Sequence, residues 1–509
     1  MTALPPPGGE DWRRLDKRMV LVGAAVTGGF ASGAAVPTAV GLAGGMPLGQ
    51  AVAWVVAGVV LMTVCGTAAD YVRWRRTRYR IGPERAELHT GLLLVTRRSL
   101  ARERIRSVDL TAPLLLRILG LVKVRIGTGE HSGGESTVEL DPVTRAEGER
   151  LRRLLLDRPA APGAPAAHDG PLAVLDPAWI RYAPVSFVAP ALGGAAAGAV
   201  MQVSEWFGAQ GQVIDWVGAR FRDTSVVAMV LVLVAAALLA GAVGALGLWI
   251  EMWWNYRLER EPGGTLRVRR GLFTARSISV EERRLRGVEL VEPLGVRSFG
   301  AARVDAVATG IAEDEESRHA EHKTLLPPAP RAVADEVAAQ VLRERAAPTG
   351  APLTPHPPAA RTRRIRWALG AVAVPVAVLA ALGLLLDLVA LLYAAGACAL
   401  VLTPLALLTA RDAYRSLGHA VSGAYLVARS GVLRRTTVAL RRGGVIGWTI
   451  RQSWFQRRVG LLTLTATTAA GSGAYTIHDA ATTESLTFAT EAVPDLLAPF
   501  LERTPVRED

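Results

Sequence analysis

The sequence predicts an α+β membrane protein of six transmembrane helices in three hairpins, each hairpin followed by an antiparallel β domain that ends in a helix. Three observations carry this. Half of the 509 residues are hydrophobic and mean hydropathy is +0.27, too apolar for an ordinary soluble chain. Apolar stretches of about 20 residues, the length that crosses a bilayer core, come in pairs. One pattern of glycines and arginine recurs three times.

The paired stretches are 19–40 with 50–69, 182–203 with 226–250, and 367–386 with 388–408. The fourth, "VVAMVLVLVAAALLAGAVGALGLWI", is the most continuous. The first carries Pro37, which a bilayer helix tolerates when neighbours satisfy the freed carbonyl. Only Asp387 separates the last two, so they either turn within a few residues or form a re-entrant hairpin. Arg13, Arg14, Lys17 and Arg18 precede the first pair, and Arg73, Arg75, Arg76, Arg78 and Arg80 follow it, whereas the loop inside it has no Lys or Arg. Arg361, Arg363, Arg364 and Arg366 likewise precede the third pair. The positive-inside rule then sets both termini and every long connection in the cytoplasm. Trp74, Trp179, Trp249, Trp253, Trp254 and Trp367 fall at span ends, where an amphipathic ring suits the headgroup layer. Trp206, Val213, Trp216, Val217 and Phe221 suit the outer interface. The N-terminal residues lack a signal-peptide series and lead into an uncleaved first span. Cys65 and Cys398 both lie in apolar segments, which argues against a disulfide framework and a thiol-ligated metal.

The repeat is read from Gly91, Gly271 and Gly431. A second glycine follows 29 residues later in each copy, as Gly120, Gly300 and Gly460, with Arg117, Arg297 and Arg457 three residues before it. Upstream stand "WRRTRYRI" (74–81), "WNYRLER" (254–260) and "YRSLGHAV" (414–421). Runs such as "RYRI", "TVEL" and "LTLTATT" alternate apolar and polar residues, as half-buried strands do. "PLLLRILG" (113–120) is a helical turn that leads through glycine into a strand. Pro142, Pro330 and Pro494 each precede an amphipathic stretch that reads as the closing helix. The expected layout is an N-terminal segment 1–18, hairpin 19–69, β domain 70–157, linker 158–181, hairpin 182–250, β domain 251–345, linker 346–366, hairpin 367–408, β domain 409–503 and tail 504–509.

A hairpin, an aromatic and basic strand, "GLL...R...I..V....PLL.RI.GL..V.I.T" and a closing helix resemble the bacterial pleckstrin-homology (PH) domain membrane proteins of the YdbS/YdbT-like family. The first copy matches best. The second keeps the glycine spacing and "VELVEPL" (288–294), and the third departs further, with Trp448 and Ser453 where the first has Val108 and Pro113. The resemblance implies a PH-like fold, a bent antiparallel sheet closed by a C-terminal helix. It also implies a role in envelope stress or resistance to membrane-active antimicrobials, and it supplies no catalytic residue.

No catalytic, cofactor or metal site is expected. His319 and His322 in "RHAEH" have i, i+3 spacing without further ligands. "GTGEHSGG", with Gly127 and Gly129, lacks the Lys-Ser or Lys-Thr of a phosphate loop. Glu313, Asp314, Glu315 and Glu316 read as a solvated turn. The candidate membrane or phosphate contacts are Arg97, Arg98, Arg102, Arg104 and Arg106 in the first copy, Arg276, Arg283, Arg284 and Arg286 in the second, and Arg434, Arg435, Arg441 and Arg442 in the third. The other reading of these arginines is that they obey the positive-inside rule and pair with Glu103, Asp109, Glu281 and Glu282. Expected partners are anionic lipids of the inner leaflet and another membrane protein with a PH-like domain. Nucleic acid is not expected, because stacking aromatics are not interleaved with the charge. The favoured function is a non-enzymatic scaffold for lipid headgroups or proteins. The alternative, a component of a membrane transport or export system, is disfavoured by the scarcity of ionisable residues within the spans.

Overall fold

The computed structural model describes residues 12–91, 95–105, 107–127, 137–156, 170–261, 264–309, 323–497 and 499. Five helices among these are long and apolar enough to cross a bilayer, and the sheets are antiparallel, so the chain is an α+β membrane protein. It divides into two compact units, Met1–Glu282 and Arg283–Asp509, a boundary that falls inside the second copy.

The first unit opens with β1 (Arg13–Arg14), α1 (Met19–Ala43) and α2 (Leu48–Arg76). The first β domain follows as β2 (Arg78–Ile81), β3 (Arg85–Thr90), β4 (Thr96–Ala101), β5 (Ser107–Ala112), α3 (Leu114–Ile118), β6 (Leu121–Gly127) and β7 (Thr137–Thr144), closed by α4 (Arg145–Leu156). Its alternating strands bury Tyr79, Leu88, Val108 and Val124 against Leu151 and Leu155 of α4. Next come β8 (Pro171–Val174), α5 (Val188–Trp206), α6 (Gln210–Arg220), α7 (Val226–Trp253), β9 (Arg257–Glu261), β10 (Thr265–Arg270) and β11 (Ala275–Glu281).

The span expected at 182–203 departs from the other five. α5 starts only at Val188, carries Gln202, Ser204 and Glu205 towards its end at Trp206, and falls short of their apolar length. It nevertheless packs tightly on α7. A Cβ on Gly193 would stand 2.2 Å from the Ala237 carbonyl oxygen, and one on Gly241 would stand 1.9 Å from that of Ala189, so the backbones approach only because both residues are glycine.

The second unit runs β12 (Leu285–Pro293), α8 (Leu294–Ser298), β13 (Ala301–Ala308), β14 (Thr324–Pro330) and α9 (Arg331–Leu342), then the helix pair α10 (Pro358–Leu385) and α11 (Val389–Arg415). The third β domain is β15 (Gly418–Ser422), β16 (Tyr425–Ser430), β17 (Arg434–Arg441), β18 (Val445–Arg451), α12 (Trp454–Arg458), β19 (Leu461–Thr468), β20 (Ala474–Ala481) and α13 (Thr482–Ala492). α10 and α11 are 28 and 27 residues long and turn sharply at Asp387, whose φ is +53°. Each is long enough to cross.

The second glycine of the repeat has one structural job. Gly120, Gly300 and Gly460 adopt φ of 71°, 66° and 64°, a left-handed turn open to glycine. Their carbonyls accept the first amide of each closing helix, from Arg145, Arg331 and Thr482, at 3.0, 2.9 and 3.0 Å.

The sheets cross the copy boundaries. The orders are β1-β2-β3-β4, then β7-β6-β5-β11-β10-β9-β8, then β14-β13-β12-β17-β16-β15, and β18-β19-β20. The fourth strand of the first copy therefore pairs with the third strand of the second copy, and the same happens between the second and third copies.

Several expectations need correction. The closing helix of the third copy is α13, not the segment after Pro494. Its sequence "TTESLTFATEA" is rich in β-branched residues, and it is helical because Phe488, Ala489 and Ala492 pack into the core. Segment 346–366 is not a free linker. Pro348 and Thr349 are buried, Thr354 donates its amide to the His419 carbonyl at 2.9 Å, and α10 begins at Pro358. Of the first linker, 158–169 lie outside the described residues, and 171–174 form β8 on the edge of β9. Trp179, Trp249 and Trp253 are buried packing posts rather than interfacial rings, whereas Trp254 and Trp367 are exposed.

Candidate functional site

The seams between copies share one register. Ala112, Thr111 and Leu110 of β5 stand opposite Ala275, Arg276 and Ser277 of β11. The equivalent residues Glu292, Val291 and Leu290 of β12 stand opposite Arg435, Thr436 and Thr437 of β17. The recurring arginine reinforces both seams. Arg117 donates to the carbonyl of Leu272, the residue after Gly271. Arg297 reaches the carbonyl of Val432, the residue after Gly431, at 3.5 Å and pairs with Asp412 at the end of α11 at 2.7 Å.

Buried ion pairs complete the seams. In the first, Arg152 of α4 grips both oxygens of Glu261 at 2.6 and 3.1 Å, while Arg267 of β10 reaches Glu149 at 2.5 Å and Glu261 at 3.1 Å. Burial pushes the Glu149 and Glu261 carboxyls up, but hydrogen bonds and charge from Arg267 and Arg152 outweigh it and hold both below the usual range. In the second, Arg435 holds Glu292 at 2.8 and 2.9 Å and Arg331 adds a contact at 3.0 Å.

Beside the first seam lies a cleft of about 820 Å³. Arg117 and Arg145 reach it from the first copy and Arg257, Arg267, Arg269, Arg270 and Arg276 from the second, against one lining carboxylate, Glu149. Trp254, just past the end of the spanning helix α7, is on its wall, and Arg270 lies 4.4 Å over the ring of Trp253. Glu251 of α7 accepts the amides of Phe273 and Thr274, which fixes the Leu272 loop, and with it Arg117, beside the end of that helix. Burial and the neighbouring positive charge of Arg267 lower the Arg269 guanidinium, so cations crowd one another here. Such a site can hold a group with several anionic oxygens.

The thirteen arginines singled out in the sequence divide among roles. Arg276 lines the cleft. Arg102 donates to the Leu154 carbonyl, and its counterpart Arg442 donates to those of Ala492 and Glu491 at 2.6 Å, so both cap their own closing helices. Arg435 belongs to the second seam. Arg97, Arg104, Arg283, Arg434 and Arg441 are exposed, Arg98, Arg284 and Arg286 are half-buried, and Arg106 lies outside the described residues. Of the carboxylates expected to pair with them, Glu282 pairs with Arg260, and Asp109 is buried in the first seam. The sequence reading missed Arg145, Arg257, Arg267, Arg269 and Arg270. The alternation in "TLRVRR" (265–270) puts Arg267 and Arg269 on one strand face and was the available signal.

In the second unit, a cleft of about 860 Å³ runs along α10 and α11 to Arg363, Arg364, His478 and Asp479. Asp479 is buried and takes Arg363 at 2.5 Å, Arg364 at 3.4 Å and Gln456 at 2.9 Å. Both rim guanidiniums are thus tied to the one rim carboxylate. His356 and His419 meet at 3.1 Å in the core of this region, where burial lowers both, His419 to about 4. His319, His322, Gly129 and the acidic run 313–316 lie outside the described residues.

The family model described as a bacterial PH domain matches residues 35–159 and 369–491. These ranges take in the first and third copies and leave out the second, although residue agreement had set the third copy furthest from the pattern. The UPF0699 transmembrane protein YdbT of Bacillus subtilis (strain 168) is 30% identical over 93 residues, which is 18% of this chain and 19% of that protein. The matched stretch thus spans about a fifth of the relative's length. No solved structure matches the chain.

Proposed function

Because the chain belongs to the YdbT-like membrane proteins with bacterial PH domains, we propose that it is a non-enzymatic scaffold that gathers anionic lipid headgroups at the inner leaflet. In this reading α5 completes a third hairpin, giving six spans with both termini and all three β domains in the cytoplasm. The arginine distribution around the spans supports that orientation. The observation that carries the function is the arginine-lined cleft beside the end of α7. Seven arginines line it next to a membrane-spanning helix, and although Arg257 pairs with Glu259 and Arg267 with Glu149 and Glu261, positive charge exceeds negative there. A lipid phosphate satisfies that imbalance without any reacting group. Neutralising an anion-sensing platform of this kind under attack by membrane-active compounds is the proposed link to envelope stress.

The test uses the full chain in nanodiscs of zwitterionic lipid with a minor anionic component. Arg145 and Arg269 make no side-chain hydrogen bond or ion pair among the described residues, so Arg145→Ala with Arg269→Ala leaves the fold intact. At roughly 1 kcal/mol per basic residue near a charged surface, the double variant retains anionic lipid at least tenfold less well, and added salt narrows the difference. Equal retention by the parent and variant proteins would refute the assignment.

A further inference from the structure

The seams inside the chain show what a third seam requires, and the chain carries both halves of one unused. β18 is equivalent to β5 and β12, yet it ends its sheet and pairs only with β19 among the described residues. β4 is equivalent to β11 and β17, and it too ends its sheet, paired only with β3 among the described residues. Arg457 is equivalent to Arg117 and Arg297, which both cross a seam, but it is exposed and makes no side-chain contact among the described residues. Glycine usage points the same way. A Cβ on Gly287 of β12 would stand 2.0 Å from the Ala439 carbonyl of the strand across the seam, so glycine is required there. Its equivalent in β18, Gly447, has no such neighbour among the described residues, which leaves room for a strand to approach. Ile446 and Ile450 of β18 and Trp454 and Phe455 of α12 are exposed, an apolar edge whose one charged strand residue is Arg451 at its end.

We propose that β18 of one molecule pairs with β4 of a second copy of this chain, repeating between molecules the seam that the chain makes twice within itself. The shared register sets Ile450 opposite Arg97, Trp448 opposite Ser99 and Ile446 opposite Ala101. Arg457 is brought to the Gly91 side of β4 of the second molecule, as Arg117 and Arg297 stand to the Gly271 and Gly431 sides of β11 and β17. The contact is heterologous, so it builds a ring or an open row in the membrane rather than a two-fold dimer.

The test uses full-length protein lacking Cys65 and Cys398, in which one tagged form carries Ile450→Cys and a differently tagged form carries Arg97→Cys. Residues directly opposite across an antiparallel pair bring their Cβ atoms within about 5.5 Å, close enough for oxidative cross-linking. Co-expression in membranes is expected to give a cross-linked species bearing both tags. That species is expected to fall about tenfold with Arg457→Ala, which removes a charge-assisted hydrogen bond, and with Arg98→Cys in place of Arg97→Cys, because the neighbouring residue points to the other face. Arg457→Ala keeps its thermal midpoint, since Arg457 has no side-chain partner among the described residues. Should it not, Ile450→Lys, which opposes one cation to another, is expected to lower cross-linking from Thr449→Cys to Arg98→Cys by a similar factor. The proposal is overturned by the absence of a two-tag species, by equal cross-linking at the offset position, by cross-linking indifferent to Arg457, or by cross-linking of Ile450→Cys only to a different protein.

Discussion

A guanidinium offers five donors in a rigid fork, and this chain uses that fork to join strands distant in sequence. Arg117 and its acceptor are 155 residues apart, and Arg297 and Asp412 are 115 apart. The spacing of these arginines was plain in the sequence, but their role was not, because a partner so remote leaves no local pattern. The same holds for Arg102 and Arg442, which looked like lipid contacts and instead cap helices. Arg297→Ala removes two contacts and strands Asp412, so it is expected to lower the stability of the second unit by about 1–3 kcal/mol in denaturant titrations. Arg297→Lys restores only part of this, since an ammonium cannot span the carboxylate and the Val432 carbonyl together. The substitution Arg457→Ala, at the equivalent position, should cost the isolated molecule almost nothing, and that contrast separates a seam residue from a merely basic one.

At the scale of elements, the spans and most strands were legible from apolar length and alternation. What escaped were the segments defined by what they lie against: β8 and the Thr354 contact, which add to sheet edges, and α13, whose threonines argue against a helix until its buried face is counted. The pairing of β5 with β11 also has a pH dependence that no single strand reveals. Burial between these strands raises the Asp109 carboxyl to about 7, against partial opposition from the charge of Arg125 and a hydrogen bond from the Ser279 amide. The unfolded group titrates near 3.8. Between these values the folded state binds the extra proton, so the contribution of Asp109 to stability falls as pH rises through that window and is at its lowest above pH 7. Asp109→Asn, neutral at every pH, should therefore stabilise the first unit at pH 8, on the order of 1–2 kcal/mol after allowing for relaxation, and make no difference near pH 4. Thermal midpoints of both proteins at the two pH values decide it. A constant offset would place Asp109 outside the seam's energetics.

For the whole molecule, the triplication was readable in the glycine spacing, but the sharing of sheets between copies was not, because the spacing fixes the length of each copy and says nothing of which strands are neighbours. Copies fused in this way cannot fold as independent beads. Ending the chain after Arg345 removes β17 from β12, Arg435 from Glu292, and Asp412 and the Val432 carbonyl from Arg297. Glu292, nearly fully buried, would keep only Arg331, and the edge of β12 would open to solvent. Losing one partner of a buried pair costs about 3–5 kcal/mol, a large share of the stability of any single domain. Hydrogen exchange in nanodiscs should then show the Val288–Val291 amides, held between two strands in the full chain, exchanging at least a hundredfold faster in the truncated one. A string of separable domains predicts the opposite, unchanged protection in the second copy.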